Sequence, residues 1–209
     1  DTGLDPQDIF RFCEMIAADG ITDYFNVIAG TSVTHRGAVH IVPPMTVETG
    51  YLAPLAARLK RAVPQAVFVA GRINQPQIAE RIVARGEADL CGMTRALITD
   101  PRMPAKARAG RPDDIRACIG CNQACIGHFQ KGYAISCIQY PETGRELAYG
   151  TLKPAAKRKR ILIAGGGPAG MKAAAVLAER GHRVTLYEAA AQLGGQVLVA
   201  QLVPGRMEF

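Results

Sequence analysis

The chain has 209 residues, 48% of them hydrophobic, and a formal net charge of +7. That is room for one large or two small domains with a buried core, and no apolar run approaches the roughly 18 to 20 residues of a membrane span. Part of the basic surplus is a single run, Lys157 to Arg160, which reads as a solvated linker; without tryptophan and with few aromatics to stack bases, a nucleic-acid binder is disfavoured.

The opening DTGLDPQD and the final PGRMEF read as the interior of a longer polypeptide. Asp5 and Pro6 form a helix start, followed by Ile9, Phe10, Cys13, Ile16 and Ala17 at helical spacing. A buried strand is expected over 24–30. A loop over about 31–46 then carries His35, His40 and the Pro43-Pro44 pair. A helix bearing Tyr51, Leu52, Leu55, Ala56, Leu59 and Val63 precedes a second strand over 66–71. Ile78, Ile82 and Val83 mark another helix, and 88–93 is a third strand. Strands separated by helices pair in parallel. Such units suit either a doubly wound sheet or a (β/α)8 barrel. Gly71-Arg72 and Gly92-Met93-Thr94-Arg95 end successive strands, where barrels hold phosphate. Residues 1–110 are therefore expected to be the C-terminal part of a TIM barrel. The plainer alternative makes Arg72 and Arg95 surface arginines.

Residues 111–157 carry little periodic pattern but four cysteines, Cys118, Cys121, Cys125 and Cys137, spaced C-x2-C-x3-C-x11-C. Four thiolates suit a 4Fe-4S cluster. Structural zinc is the rival, with His128 as a spare ligand, although zinc sites more often pair two C-x2-C knuckles. Metal-ligand spacing without a secretory signal points to a reducing, cytoplasmic compartment. Cys13 and Cys91 read as core residues.

Residues 158–209 read as strand, glycine turn, helix and strand, the start of a Rossmann-like domain. Gly165, Gly167 and Gly170 fit G-x-G-x-x-G, with Ala169 counted in the same cofactor-binding turn. The helix N-terminus offers N–H donors to a pyrophosphate. Glu188, ending the second strand, suits an unphosphorylated ribose, as in FAD or NAD. Gly195 and Gln196 bring backbone close just beyond.

With these segments in order, the chain resembles the flavin and iron–sulfur oxidoreductases related to old yellow enzyme. That group includes bacterial 2,4-dienoyl-CoA reductase, trimethylamine dehydrogenase and N-demethylases. The resemblance rests on CIGCNQAC with its distant fourth cysteine, VAGRIN and GMTRALITDP. It implies FMN in the barrel, its phosphate held by Gly71, Arg72, Gly92, Thr94 and Arg95. It implies a 4Fe-4S cluster on the four cysteines, and FAD (or ADP or NAD) on the glycine turn, with electrons passing singly through the cluster. The dienoyl-CoA reductases place a catalytic histidine in a Trp-His-Glu context; here the loop reads GTSVTHRGAVH. His35 is thus a candidate acid or substrate contact outside that motif, or a plain polar loop residue.

The expected activity is oxidative N-demethylation of a small methylated amine, with an electron-transfer flavoprotein or NAD(P)H as redox partner. NAD(P)H-dependent reduction of a dienoyl- or enoyl-CoA is the alternative. A non-catalytic electron-transfer module is a rival of another class. A partial barrel leaves apolar faces uncovered, so the 209-residue chain alone is expected to aggregate.

Overall fold

The computed structural model describes residues 4–208, which form two compact units, one through Tyr140 and one from Pro141. In the first unit, helix α1 (Pro6–Ala18) begins as the sequence requires: the Asp5 carboxylate accepts the Gln7 N–H at 2.7 Å, and Pro6 occupies the first turn. Strand β1 (Tyr24–Val27) follows. Helix α2 (His35–Ile41) then interrupts the stretch expected to be loop. Thr34 Oγ1 caps it through Gly37 N at 3.0 Å. Seven residues with an internal glycine are too short for helical periodicity to stand out. Gly37 is needed there: a Cβ would lie 2.3 Å from Thr31 Cγ2.

Helix α3 (Ala53–Ala62), strand β2 (Ala66–Ala70), helix α4 (Pro76–Ala84) and strand β3 (Leu90–Gly92) complete a βα series. The strands are parallel in the order β1-β2-β3, with Val27 beside Val69 and Val69 beside Cys91. Pleating sends Val27, Val67 and Val69 to one face, where they join Ala56, Leu59 and Ile82 in the core. Val67 and Val69 are fully buried, each contributing about 2 kcal/mol of hydrophobic stabilisation. The Asp89 carboxylate locks the strand ends by accepting Val67 N at 2.8 Å and binding Lys60 Nζ at 2.6 Å.

The opposite face carries Tyr24, Phe68 and Leu90. Tyr24 and Phe68 stack with centroids 4.6 Å apart, yet Tyr24 is 52% and Leu90 53% exposed. The whole chain has 14092 Å² of accessible surface. Two independent folded bodies of these sizes expose roughly 11,000 Å² together. The excess includes apolar groups of this uncovered sheet face.

Beyond β3 come α5 (Thr94–Thr99), α6 (Met103–Arg108), a 3-10 turn at Pro112–Asp114, and α7 (Ile126–Gln130) in the cysteine segment. The stretch expected to be irregular thus holds short helical turns, each too brief to leave a pattern. Within the first unit, its start at Arg116 is fastened to the end of α5 through Asp100, which is 3% exposed. Burial works against its charge, but the bond from Lys106 Nζ and the N–H groups of Arg116 and Arg102 outweigh that and hold its carboxyl below the usual range.

The second unit contains α8 (Glu146–Tyr149), β4 (Arg160–Ala164), α9 (Pro168–Glu179), β5 (Arg183–Tyr187) and α10 (Val197–Ala200). Strands β4 and β5 pair in parallel, from Arg160 beside Arg183 to Ala164 beside Tyr187. No helix among the described residues is long and apolar enough to cross a membrane.

Candidate functional site

A cavity of about 250 Å³ lies at the C-terminal ends of β2 and β3. Gly71, Arg72, Gly92, Thr94 and Arg95, the five positions read as a phosphate site, all line it. Both glycines are required by close approach. A Cβ on Gly92 would lie 2.9 Å from Ala70 Cβ, and one on Gly71 would lie 3.0 Å from Tyr51 Cε1. Arg72 is 8% exposed and adopts a left-handed φ of 52°, with Nη1 donating to Val47 O. Arg95 Nη1 donates to Pro43 O at 2.8 Å and to Asn122 Oδ1 at 2.7 Å. The surface-arginine alternative therefore fails for Arg72, and Arg95 is held inward.

The lining fits a phosphorylated, hydroxyl-bearing ligand such as FMN. Arg72, Arg95 and Thr94 line it, and no Asp or Glu among the described residues does. Asn74 is 7% exposed; its Nδ2 donates to Cys118 O at 2.7 Å, while its buried Oδ1 has no hydrogen-bond partner among the described residues. A ligand donor would satisfy that oxygen. Asn74, together with Gly120 and the apolar Ile28 and Val42, was not singled out by sequence reasoning. The Asn of VAGRIN was the available signal for the first. His35 lies elsewhere: it is exposed at the start of α2 and is not part of this lining.

Cys118, Cys121, Cys125 and Cys137 surround a second, smaller cavity of about 20 Å³, closed by Ile98, Ile119, Ala124 and Ile138. All four thiols are free of disulfides. Burial pushes the Cys121 thiol up; the Gln123 N–H pulls it down, and Cys125, Cys118 and Cys137 push it up again by charge. The sulfurs encircle the space without converging. No three His, Cys, Asp or Glu side chains among the described residues lie close enough to hold one metal ion. His128, the spare ligand of the zinc reading, is half-buried on α7 with Nδ1 3.0 Å from Ala134 O, outside the lining. Thr99, buried and missed from sequence, donates to Arg95 O at 2.9 Å and stands 3.7 Å from Cys137 Sγ. Gly120 N points to Cys118 Sγ at 3.4 Å. Cys118 and Arg95 belong to both cavities, so the two share a wall.

In the second unit the glycine turn folds as its spacing predicts. Gly165 has φ 101°, and its N–H bonds Tyr187 O at 2.8 Å. Gly167 caps α9, and a Cβ there would meet nothing within 4 Å, leaving backbone open to a ligand. Gly170 packs so tightly that a Cβ would lie 2.0 Å from Gly165 O. Ala169 is exposed in the first turn of α9, and Gln196 is exposed just before α10. Gly195, at φ 54°, brings its Cβ position within 3.2 Å of Gly167 Cα. Glu188 accepts Ala190 N at 2.8 Å and Gly166 N at 2.6 Å, bonds that hold its carboxyl below the usual range. A separate depression of about 510 Å³, bordered by Glu142, Arg145, Lys153, Lys172 and Arg180, involves none of the predicted residues.

Residues 14–114 match the NADH:flavin oxidoreductase / NADH oxidase family, and residues 163–207 match the NAD(P)-binding Rossmann-like domain. The chain belongs to the first of these families. Within that family it is 41% identical over 95% of its length to a metal reductase of Desulforamulus reducens. It is 39% identical over 98% to an N,N-dimethylglycine/sarcosine dehydrogenase of Chromohalobacter salexigens. A solved 2-naphthoyl-CoA reductase superposes on 99% of the chain with a TM-score of 0.90 at 32% identity. The chain spans about three tenths of the length of each, 29%, 30% and 31% respectively. The fold is α/β, and the family is one of flavin oxidoreductases.

Proposed function

We propose that the chain belongs to an oxidoreductase that binds FMN in the larger cavity of the first unit, a 4Fe-4S cluster on Cys118, Cys121, Cys125 and Cys137, and FAD, or ADP or NAD in its place, on the glycine turn. The observation that carries this reading is the shared wall: Cys118 and Arg95 line both cavities of the first unit. The three strands in sequential parallel order suit the closing part of a (β/α)8 barrel, whose strand ends bind phosphate.

When bound, the flavin and the cluster supply the redox chemistry, an electron pair exchanged with substrate and single electrons passed onward. This chain's residues bind and orient. Arg72, Arg95 and Thr94 offer donors to a phosphate without a competing carboxylate, and Asn74 Oδ1 offers an acceptor. Ile98, Ile119, Ala124 and Ile138 keep the cysteine cavity dry. Four thiols ranged around a cavity suit a multi-iron group better than zinc, which at 2.3 Å draws its thiolates to within about 3.8 Å of one another.

For the substrate we favour a small N-methylated amine. Its methyl carbon loses a hydride, and water cleaves the resulting iminium to formaldehyde and the demethylated amine. The similarity to a dimethylglycine/sarcosine dehydrogenase supports this, as does the place of His35 outside the cavity. The similarity to 2-naphthoyl-CoA reductase favours the second reading, reduction of an unsaturated acyl thioester by NAD(P)H.

The test is anaerobic titration of the full-length protein. Bleaching of the flavin absorbance by methylated amines alone is the expected result. Bleaching only by NADPH or NADH, with recovery on adding an enoyl thioester, overturns the amine reading. Zinc with no acid-labile sulfide overturns the cluster.

A further inference from the structure

Arg95 lines both cavities, and of its two Nη1 bonds one goes to Pro43 O and the other reaches Asn122 in the segment that holds the cysteines. Its partner Asn122 is held at three points. Oδ1 accepts from Arg95 at 2.7 Å, Nδ2 donates to Val42 O at 2.8 Å, and the backbone carbonyl accepts Gly127 N at 3.0 Å. Asn122 follows Cys121 directly and precedes Cys125 by three residues. Its φ is 57°, a left-handed value that a side-chain amide tolerates better than most groups. That value sets the direction in which the chain leaves Cys121 and turns toward Cys125. Arg95 and Val42 line the larger cavity, while Arg95 and Asn122 line the smaller one. The same bonds thus tie the walls of both.

We propose that Arg95 is a positioning residue which, through Asn122, couples occupancy of the two cavities. An anion in the larger cavity fixes the guanidinium. The guanidinium holds Asn122 in its left-handed turn, and that turn holds Cys121 and Cys125 in place. A guanidinium has five N–H donors, so the two bonds from Nη1 leave others for the anion. Coupling between binding sites is reciprocal: a filled cysteine cavity tightens the anion site by the same factor. This inference rests on the reading that the larger cavity takes FMN and the cysteines take a cluster.

The experiment follows release of iron to a chelator from the full-length protein, with FMN bound and after FMN is stripped. Asn122→Gly keeps the left-handed turn and removes both side-chain bonds. Asn122→Asp keeps an acceptor for Arg95. In the wild type, stripping FMN is expected to speed iron release about tenfold, the scale of one charge-assisted hydrogen bond. In Asn122→Gly, release is already fast and FMN changes it less than twofold. Adding Arg95→Lys to Asn122→Gly makes it no faster, because the coupling runs through the Arg95–Asn122 bond that Asn122→Gly has already removed. Asn122→Asp restores the dependence on FMN, which a merely structural role would not do. Wild-type FMN dependence in Asn122→Gly overturns the inference while leaving the cofactor assignment intact. A wild type without iron and sulfide sinks that assignment, and the coupling with it.

Discussion

The two candidate sites are built by opposite means. The glycine turn is built within one strand–helix–strand unit, residues 160–188, and its bond from Gly166 N to Glu188 crosses 22 positions. The two cavities of the first unit are assembled from distant pieces. Asn74 meets Cys118 across 44 positions, and Asn122 meets Val42 across 80. A local site tolerates change elsewhere in the fold. An assembled one fails whenever any contributing segment moves.

The largest test of this contrast removes a thiol. Cys121→Ser in the full-length protein is expected to abolish iron and acid-labile sulfide while the nucleotide content of the glycine turn is unchanged; combined iron and sulfide analysis with cofactor extraction measures both. Next in size is Asp100→Ala. It strands a Lys106 side chain that is only 17% exposed and frees the segment leading to Cys118, for a loss of about 3 kcal/mol in the unfolding transition of the first unit. The pH dependence has a definite sign. The Asp100 pKa is depressed in the fold, so its contribution is complete above the ordinary aspartate value near 4 and is lost as pH falls through the lower folded value. Urea midpoints of wild type and Asp100→Asn should therefore converge only below about pH 4.

Smaller effects separate packing from binding within the glycine turn. Gly170→Ala drives a methyl into Gly165 O, costing about 1–3 kcal/mol together with nucleotide affinity. Gly167→Ala meets nothing in the protein, so its melting temperature should hold while nucleotide affinity falls; calorimetry and equilibrium dialysis distinguish the two. Last, Glu188→Gln should weaken nucleotide binding several-fold. In the wild type that binding should stay level from pH 8 to about 5, because backbone N–H groups from Ala190 and Gly166 keep the carboxyl ionised.

The same contrast explains what was legible in the sequence. Strand, turn, helix and acidic end of the second unit follow one another in a fixed spacing, and each glycine's role can be argued from that spacing alone. Gly71, Arg72, Gly92, Thr94 and Arg95, which line one cavity, were legible because a glycine followed closely by an arginine ends two successive strands. Asn122 and Thr99 were not, because nothing near them in the chain announces the carbonyl or sulfur they will meet; Asn74 stood in the VAGRIN motif, but the Cys118 carbonyl it meets is 44 positions away. Helix α2 escaped notice for a simpler reason: seven residues around Gly37 give no periodicity to read. The exposed sheet face of Tyr24 and Leu90 is consistent with the aggregation expected of this stretch alone, and a solubility assay of the 209-residue chain checks it directly.

The division between Tyr140 and Pro141 carries a consequence for how such enzymes diversify. All four cysteines and every residue lining the two cavities of the first unit precede it. On the proposed reading, the unit that follows can be exchanged for another without losing one of the four cysteines. Recombination at this seam would then let the first unit acquire a new redox partner wholesale.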